Sequence, residues 1–312
     1  MPVSIHIQLT HCINKIIQLQ PKSVLDVGCG FGKWGYLCRE YLDVFPGRPY
    51  PDQWITRIDG IEFFEPYIMP HQRFLYSNIM IGDVRDLCKE IDHYDLIIAG
   101  DVIEHMFKDE AESVLETLYA QANKLLIVNI PLGEGWIHPE EYGNPAELHR
   151  SEWYVEDFEP FRAECAKYGL ETGLQYGSFF CEKGVPDEER IAGYLFAADF
   201  HAKRGNWENA SRYAHGAIAL QPGNVNAICF LVDLELNRGN LPAAIGALEA
   251  GFAVNPSFVK ARLYLAQLLD RAGRKEEARG HAEGLLADPK GDATLRSEAE
   301  AWMRQRGYTA SA

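Results

Sequence analysis

The chain has no long apolar run: within its 312 residues, no stretch approaches the roughly 20 apolar residues of a membrane span. Its first segment, MPVSIHIQLTHCINKIIQLQPKS, lacks a charged start, an extended apolar core and a small-residue cleavage site. It reads as an amphipathic first helix and not as a secretory leader. Cysteines are few and scattered, at Cys12, Cys29, Cys38, Cys88, Cys165, Cys181 and Cys229, with no C-x-x-C pair. That odd, dispersed set argues against a disulfide framework or a zinc site, and for reduced thiols in a cytoplasm. Positive charge is also short. The net charge is −15. Residues 1–186 hold 15 Lys and Arg against 29 Asp and Glu, a net of −14, whereas residues 187–312 are nearly balanced. An acidic first half repels polyphosphate, which argues against nucleic acid as a substrate.

What is present divides into two patterns. Up to about residue 183, strand-like and helix-like segments alternate. The strand expectations are 23–27, 57–62, 74–81, 94–99, 124–130, 171–176 and 178–183. The helix expectations are 4–19, 33–43, 84–90, 109–122 and 154–168. Such alternation specifies an α/β, doubly wound parallel sheet, with the last two strands forming an antiparallel hairpin at one edge. The second half has a 34-residue period. Gly205, Gly239 and Gly273 repeat at that spacing, as do Ala210, Ala244 and Ala278, and Pro222 and Pro256. Ala198, Val232 and Ala266 occupy the same register, and 293–306 reads as a capping helix. Small residues at helix crossings and proline at the unit end resemble tetratricopeptide repeats, of which three are about the minimum to bury a shared core. The Gly and Pro of Lys183-Gly184-Val185-Pro186 set the boundary, giving domains 1–185 and 186–312.

The most informative residues are Val24-Leu25-Asp26-Val27-Gly28-Cys29-Gly30-Phe31-Gly32. An apolar run there ends in an acid and then in alternating glycines, as a buried parallel strand does when it breaks into a tight turn beside a nucleotide-like ligand. The dinucleotide fingerprint G-x-G-x-x-G fails, because Lys33 stands where the third glycine is needed. No G-x-x-x-x-G-K-[ST] string occurs, which removes a P-loop. The pattern D-x-G-x-G-x-G resembles the first motif of the class I S-adenosylmethionine-dependent methyltransferases. Later strand ends extend the resemblance: Glu62 after the second, Gly82-Asp83-Val84 after the third, and Asp101-Val102-Ile103-Glu104-His105 after the fourth.

That resemblance covers about residues 20–183 and implies a seven-stranded methyltransferase sheet with S-adenosylmethionine as cofactor. Asp26, Gly28, Gly30 and Glu62 are then the first expected cofactor contacts, with Asp83, Val84 and Asp101 next. A carboxylate in the place of Glu62 accepts two charge-assisted hydrogen bonds from ribose hydroxyls. In the family, the acid in the place of Asp83 meets the adenine amino group. Trp34 is expected in the core.

If the acceptor is a hydroxyl, a base near neutral pKa is needed, and histidine meets that need. His149 is the first candidate. It lies in the long segment 131–153, expected to act as a substrate lid, since loops of that length are generally functional. His105 is the second, and Glu104 would orient the motif or the substrate. Sequence alone does not gather Asp101, Glu104 and the loop acids around a cation, so no metal is assigned. The expected activity is methyl transfer to a small or medium acceptor, first a sugar or natural-product hydroxyl. An amine acceptor, a protein substrate, and a scaffold that binds a partner or a second copy through the repeats remain open alternatives.

Overall fold

A computed structural model describes residues 5–136, 143–255, 258–287 and 293–308. It divides into two compact units, Met1–Val185 and Pro186–Ala312.

The first unit holds seven strands: β1 (Ser23–Val27), β2 (Arg57–Glu62), β3 (Asn78–Ile81), β4 (Tyr94–Gly100), β5 (Ala122–Leu132), β6 (Glu164–Gly169) and β7 (Gln175–Glu182). Their order is β3-β2-β1-β4-β5-β7-β6. The first five run parallel, with Asp26 level with Gly60 on one side and Ile98 on the other. β7 is antiparallel to both β5 and β6. Parallel strands are covered on both faces, so they read as continuous apolar runs. β4 shows this: Leu96 and Ile98 face one layer with Val24, Trp34, Leu42 and Phe180, while Ile97 faces the other with Leu115, Leu118, Phe158 and Phe179. The covering helices are α1 (Leu9–Leu19), α2 (Lys33–Arg39), α3 (Pro70–Leu75), α4 (Val84–Leu87) and α5 (Lys108–Gln121). The strand order reverses between β1 and β4, which opens a crevice beyond their carboxyl ends.

Three expectations need correction. The third strand begins at Asn78 and not at 74, because Pro70 opens a helix whose first turn is closed by Met69 N–H donating to Gln72 Oε1. The sixth strand is Glu164–Gly169, and 171–176 is not a strand of its own. The chain turns at 170–174, where Gly173 takes φ +84°. The helix expected over 154–168 shrinks to a 3₁₀ stretch, Val155–Phe161, with Pro160 inside it and Arg162 in the left-handed region at its end. Of the first expected helix, 4–19, residue 4 lies outside the described residues, and the helix begins at Leu9.

The second unit is all α: α6 (Asp187–Lys203), α7 (Trp207–Leu220), α8 (Val225–Asn237), α9 (Leu241–Val254), α10 (Val259–Arg271), α11 (Lys275–Leu286) and α12 (Ala293–Gln305). The 34-residue glycine period has a backbone cause. Gly205, Gly239 and Gly273 take φ of +77°, +76° and +81°, each ending the first helix of a pair. The following amide then reaches back five residues: Asn206 N to His201 O, Asn240 N to Glu235 O, and Arg274 N to Leu269 O. This is a Schellman closure, which a side chain at the glycine would strain. Helix α12 ends the same way, with Gly307 at φ +73° and Tyr308 N–H bonded to Met303 O. The expected cap is therefore built like the first helix of a further unit. Ala198, Val232 and Ala266 are fully buried, as are Ala210, Ala244 and Ala278, so neighbouring helices approach closely at each crossing. Pro256 and Pro289 lie outside the described residues.

Candidate active site

Strand β1 ends in three left-handed glycines, Gly28, Gly30 and Gly32, with φ of +64°, +49° and +88°. A Cβ at Gly28 would stand 2.5 Å from Val102 Cγ2, so no other residue fits without displacing the loop after β4. The turn is held from three directions. Cys29 N–H donates to Ile61 O at 2.9 Å. The amide of the buried Gln72 donates to the carbonyls of Gly30 and Tyr67. Gly30 N–H donates to Glu62 Oε2 at 2.8 Å. The other oxygen of Glu62 accepts from Phe64 N–H, also at 2.8 Å. This carboxylate is 5% exposed and lines the cavity. Burial raises its pKa, and the two amides oppose that.

Asp26 has a different place from the one its motif suggests. It is 1% exposed and is absent from the cavity wall. Its Oδ2 accepts from Tyr76 Oη at 2.5 Å and from Gly35 N at 3.1 Å, which ties the turn to α2 and to the segment before β3. Asp26 thus supports the turn from below. Burial pushes its carboxyl from 3.8 up to about 7, against the pull of the Tyr76 and Gly35 hydrogen bonds. A carboxyl with its folded-state pKa raised in this way binds more protons folded than unfolded between the two values. Its stabilising contribution is full below the unfolded value and is lost as pH rises through about 7. The unfolding free energy of wild type relative to Asp26→Asn should therefore fall as pH is raised from about 5 to about 8, as read by urea denaturation. A difference that stays constant across that range contradicts the assignment.

The remaining strand ends complete the wall. After β3, Asp83 caps α4 through Arg85 N–H and pairs with the Arg85 guanidinium at 2.5 Å. That hydrogen bonding to Arg85 holds the carboxyl below the usual carboxylate range. Asp83 and Val84 both face the cavity. After β4, Asp101 takes φ +54°, a left-handed conformation that costs a residue with a Cβ roughly 1 to 3 kcal/mol. Asn129 O accepts from its N–H at 2.9 Å, and Tyr176 Oη donates to its Oδ1 at 2.7 Å. Neighbours on β5 and β7 hold this conformation.

Glu104 follows in a short 3₁₀ turn, Ile103–His105. It is 1% exposed, and neither carboxylate oxygen makes a well-formed hydrogen bond among the described residues, only the amides of Glu104 and Val102 acting on it. Burial, and then the charge of Asp101, pushes its pKa well above the ordinary value. Its backbone carbonyl accepts from Arg150 N at 2.8 Å and Ser151 N at 3.1 Å. Those two bonds clamp the loop after β5 against the loop after β4. They bring the rings of His105 and His149 to 5.0 Å between centroids, edge to face.

The described part of the 131–153 segment is anchored rather than free. Gly133 N–H donates to Trp153 O at 2.8 Å, Trp153 is fully buried, and Pro145–Glu147 forms a 3₁₀ turn capped by Asn144. Residues 137–142, including His138 and Tyr142, lie outside the described residues. The cavity so enclosed has a volume of about 690 Å³. Gly28, Gly30, Glu62, Asp83, Val84, Asp101, Glu104, His105 and His149 all line it. Trp34 is in the core as expected, 4% exposed, with Gly100 pressed against its indole, and its remaining surface lines the cavity.

Sequence reasoning missed Tyr67, Glu147 and Tyr176. Glu147 is buried and accepts from Tyr67 Oη at 2.9 Å and Asn144 Nδ2 at 3.1 Å, at the cavity wall. A glutamate in a Pro-rich loop carries no sequence mark of burial. Tyr176 sits where the hairpin was misplaced, so its pairing with Asp101 had no visible signal.

No protein-family model matches the chain, and no curated protein matches it. Solved structures show partial likeness. Magnesium protoporphyrin IX methyltransferase from Synechocystis PCC 6803, solved with bound SAM, is 14% identical over 58% of this chain and 82% of its own, with a TM-score of 0.39. A SAM-dependent methyltransferase from Archaeoglobus fulgidus is 15% identical over 56% of this chain and 93% of its own, with a TM-score of 0.39. The helical unit is similar to the type III secretion translocator chaperone SycD of Yersinia enterocolitica, at 15% identity over 38% of this chain and 90% of its own, with a TM-score of 0.32. No helix among the described residues is long and apolar enough to cross a membrane.

Proposed function

We propose that the first unit is an S-adenosylmethionine-dependent methyltransferase acting on a hydroxyl of a small or medium acceptor, such as a sugar or a natural-product scaffold. The observation that carries this reading is Glu62. Its buried carboxylate faces the cavity at the end of β2 and is aimed by the amides of Gly30 and Phe64, beside a turn of three left-handed glycines. Each carboxylate oxygen has a second lone pair, so a ribose diol fits the same group without displacing those amides. Asp83, already fixed by Arg85, and Val84 would border the base, and the glycine turn leaves backbone room for the amino-acid end.

S-adenosylmethionine supplies a methyl group that is already electrophilic on its sulfonium. The protein's task is to align the acceptor and exclude water. Glu104, His105 and His149 line the same cavity and form the end at which the acceptor's proton is removed. Isothermal titration of the full-length protein tests the reading: S-adenosylhomocysteine should bind one per chain, and NAD should not. Absence of S-adenosylhomocysteine binding refutes it.

A further inference from the structure

We propose that Glu104, His105 and His149 bind a divalent first-row transition cation, which takes the oxygen of the acceptor. One ligand atom from each of the three side chains lies within 4.8 Å of the others. Around an ion with bonds of about 2.0 to 2.2 Å, ligand atoms stand at most about 4.4 Å apart. Small rotamer shifts close the difference. The residues come from two segments that the Arg150 and Ser151 amides already clamp to the Glu104 carbonyl, so the cluster is assembled by the backbone before any ion arrives.

The second observation is independent of that spacing. The Glu104 carboxylate is 1% exposed; neither oxygen makes a well-formed hydrogen bond among the described residues, and only the backbone amides of Glu104 and Val102 act on it. Buried at this place, the carboxylate can carry its charge only if it is paired or coordinates a metal. No Lys or Arg ion pair to it occurs among the described residues; the two histidine rings are the groups placed to share a cation with it. Two imidazoles and one carboxylate suit Zn²⁺, Co²⁺, Mn²⁺ or Fe²⁺ better than Mg²⁺ or Ca²⁺, which favour all-oxygen sites. Three protein ligands leave at least one coordination position open, as catalytic sites do. All three residues line the cavity, so the open position faces the acceptor.

The inference rests on the methyl-transfer reading and specifies it. A cation at this place selects an oxygen acceptor, an alcohol or a phenol, over a protonated amine. It polarises the hydroxyl so that the proton leaves to water near neutral pH. The oxygen lone pair forms the new O–CH₃ bond as the C–S bond breaks, and that bond's electron pair stays on sulfur. His149 then serves as a ligand, and no side-chain base is required.

The test is titration of the full-length protein with Co²⁺, followed by calorimetry and visible d–d absorption, with S-adenosylhomocysteine binding measured in parallel. The expected result is one Co²⁺ per chain with a d–d band. In Glu104→Gln and His149→Ala, affinity should fall by more than the roughly 10- to 100-fold that loss of an outer-shell partner costs. His215→Ala, on an exposed face of α7, should keep both band and affinity. A wild-type protein that binds S-adenosylhomocysteine but gives no Co²⁺ band overturns the metal site and leaves the methyltransferase reading standing. A band that survives in the His105→Ala, His149→Ala double variant overturns it too. Loss of S-adenosylhomocysteine binding in the wild type refutes the methyltransferase reading itself.

Discussion

Glu62→Ala should lower the affinity for S-adenosylhomocysteine at least about 100-fold. Hydrogen bonds to a charged group contribute roughly 1.5 to 3 kcal/mol each, and two would be lost to the ribose diol. The removed carboxylate also leaves the Gly30 and Phe64 amides without acceptors, so the turn itself loosens. Glu62→Gln keeps an acceptor and much of the shape, and its loss should be smaller. Calorimetry on both variants, with circular dichroism confirming the fold, separates ligand contact from general damage. Unchanged affinity in Glu62→Ala would mean that the cavity holds something other than a ribose at this place.

His149→Ala should reduce turnover by about 10²- to 10⁴-fold while leaving S-adenosylhomocysteine affinity nearly unchanged. His149 lines the same cavity as Glu62, on the loop after β5, and makes no part of the glycine turn. The measurement is transfer from labelled S-adenosylmethionine to the acceptor found by screening extracts. Wild-type turnover in this variant would remove the Glu104–His105–His149 cluster from acceptor activation. The loss is expected whether the imidazole takes a proton or holds a cation. Co²⁺ binding distinguishes those two roles.

Much of this frame is legible in the chain because parallel strands announce themselves. β1 and β4 are buried on both faces, so their mainly apolar runs end abruptly where the site begins, at Gly28 and Asp101; β2 is as buried but reads Arg-Ile-Asp-Gly-Ile-Glu, and it is Glu62 at its end that marks it. The 34-residue period is legible for a related reason: each glycine is required by a left-handed closure, and the requirement recurs with the fold. Gly307 continues the period, 34 residues after Gly273. β6 is hidden because it is an edge strand. Glu164-Cys165-Ala166-Lys167-Tyr168-Gly169 is only half covered, and its composition resembles a helix as much as a strand.

The site was only partly legible. Motif spacing placed Asp26 among the ligand contacts, yet its carboxyl lies under the turn and holds Tyr76 and Gly35. The distinction between lining a cavity and supporting its wall depends on which way a side chain leaves the strand at its last residues. His105 and His149 are 44 positions apart, and only the clamp on the Glu104 carbonyl brings them together. The burial of Glu104 has no sequence signal at all.

The most direct measurement is binding of S-adenosylhomocysteine to the full-length protein by isothermal titration, with NAD as the competing ligand. One S-adenosylhomocysteine per chain is expected, lost in Glu62→Ala, with no NAD binding. Tight NAD binding, or no heat with S-adenosylhomocysteine, would contradict the methyltransferase reading.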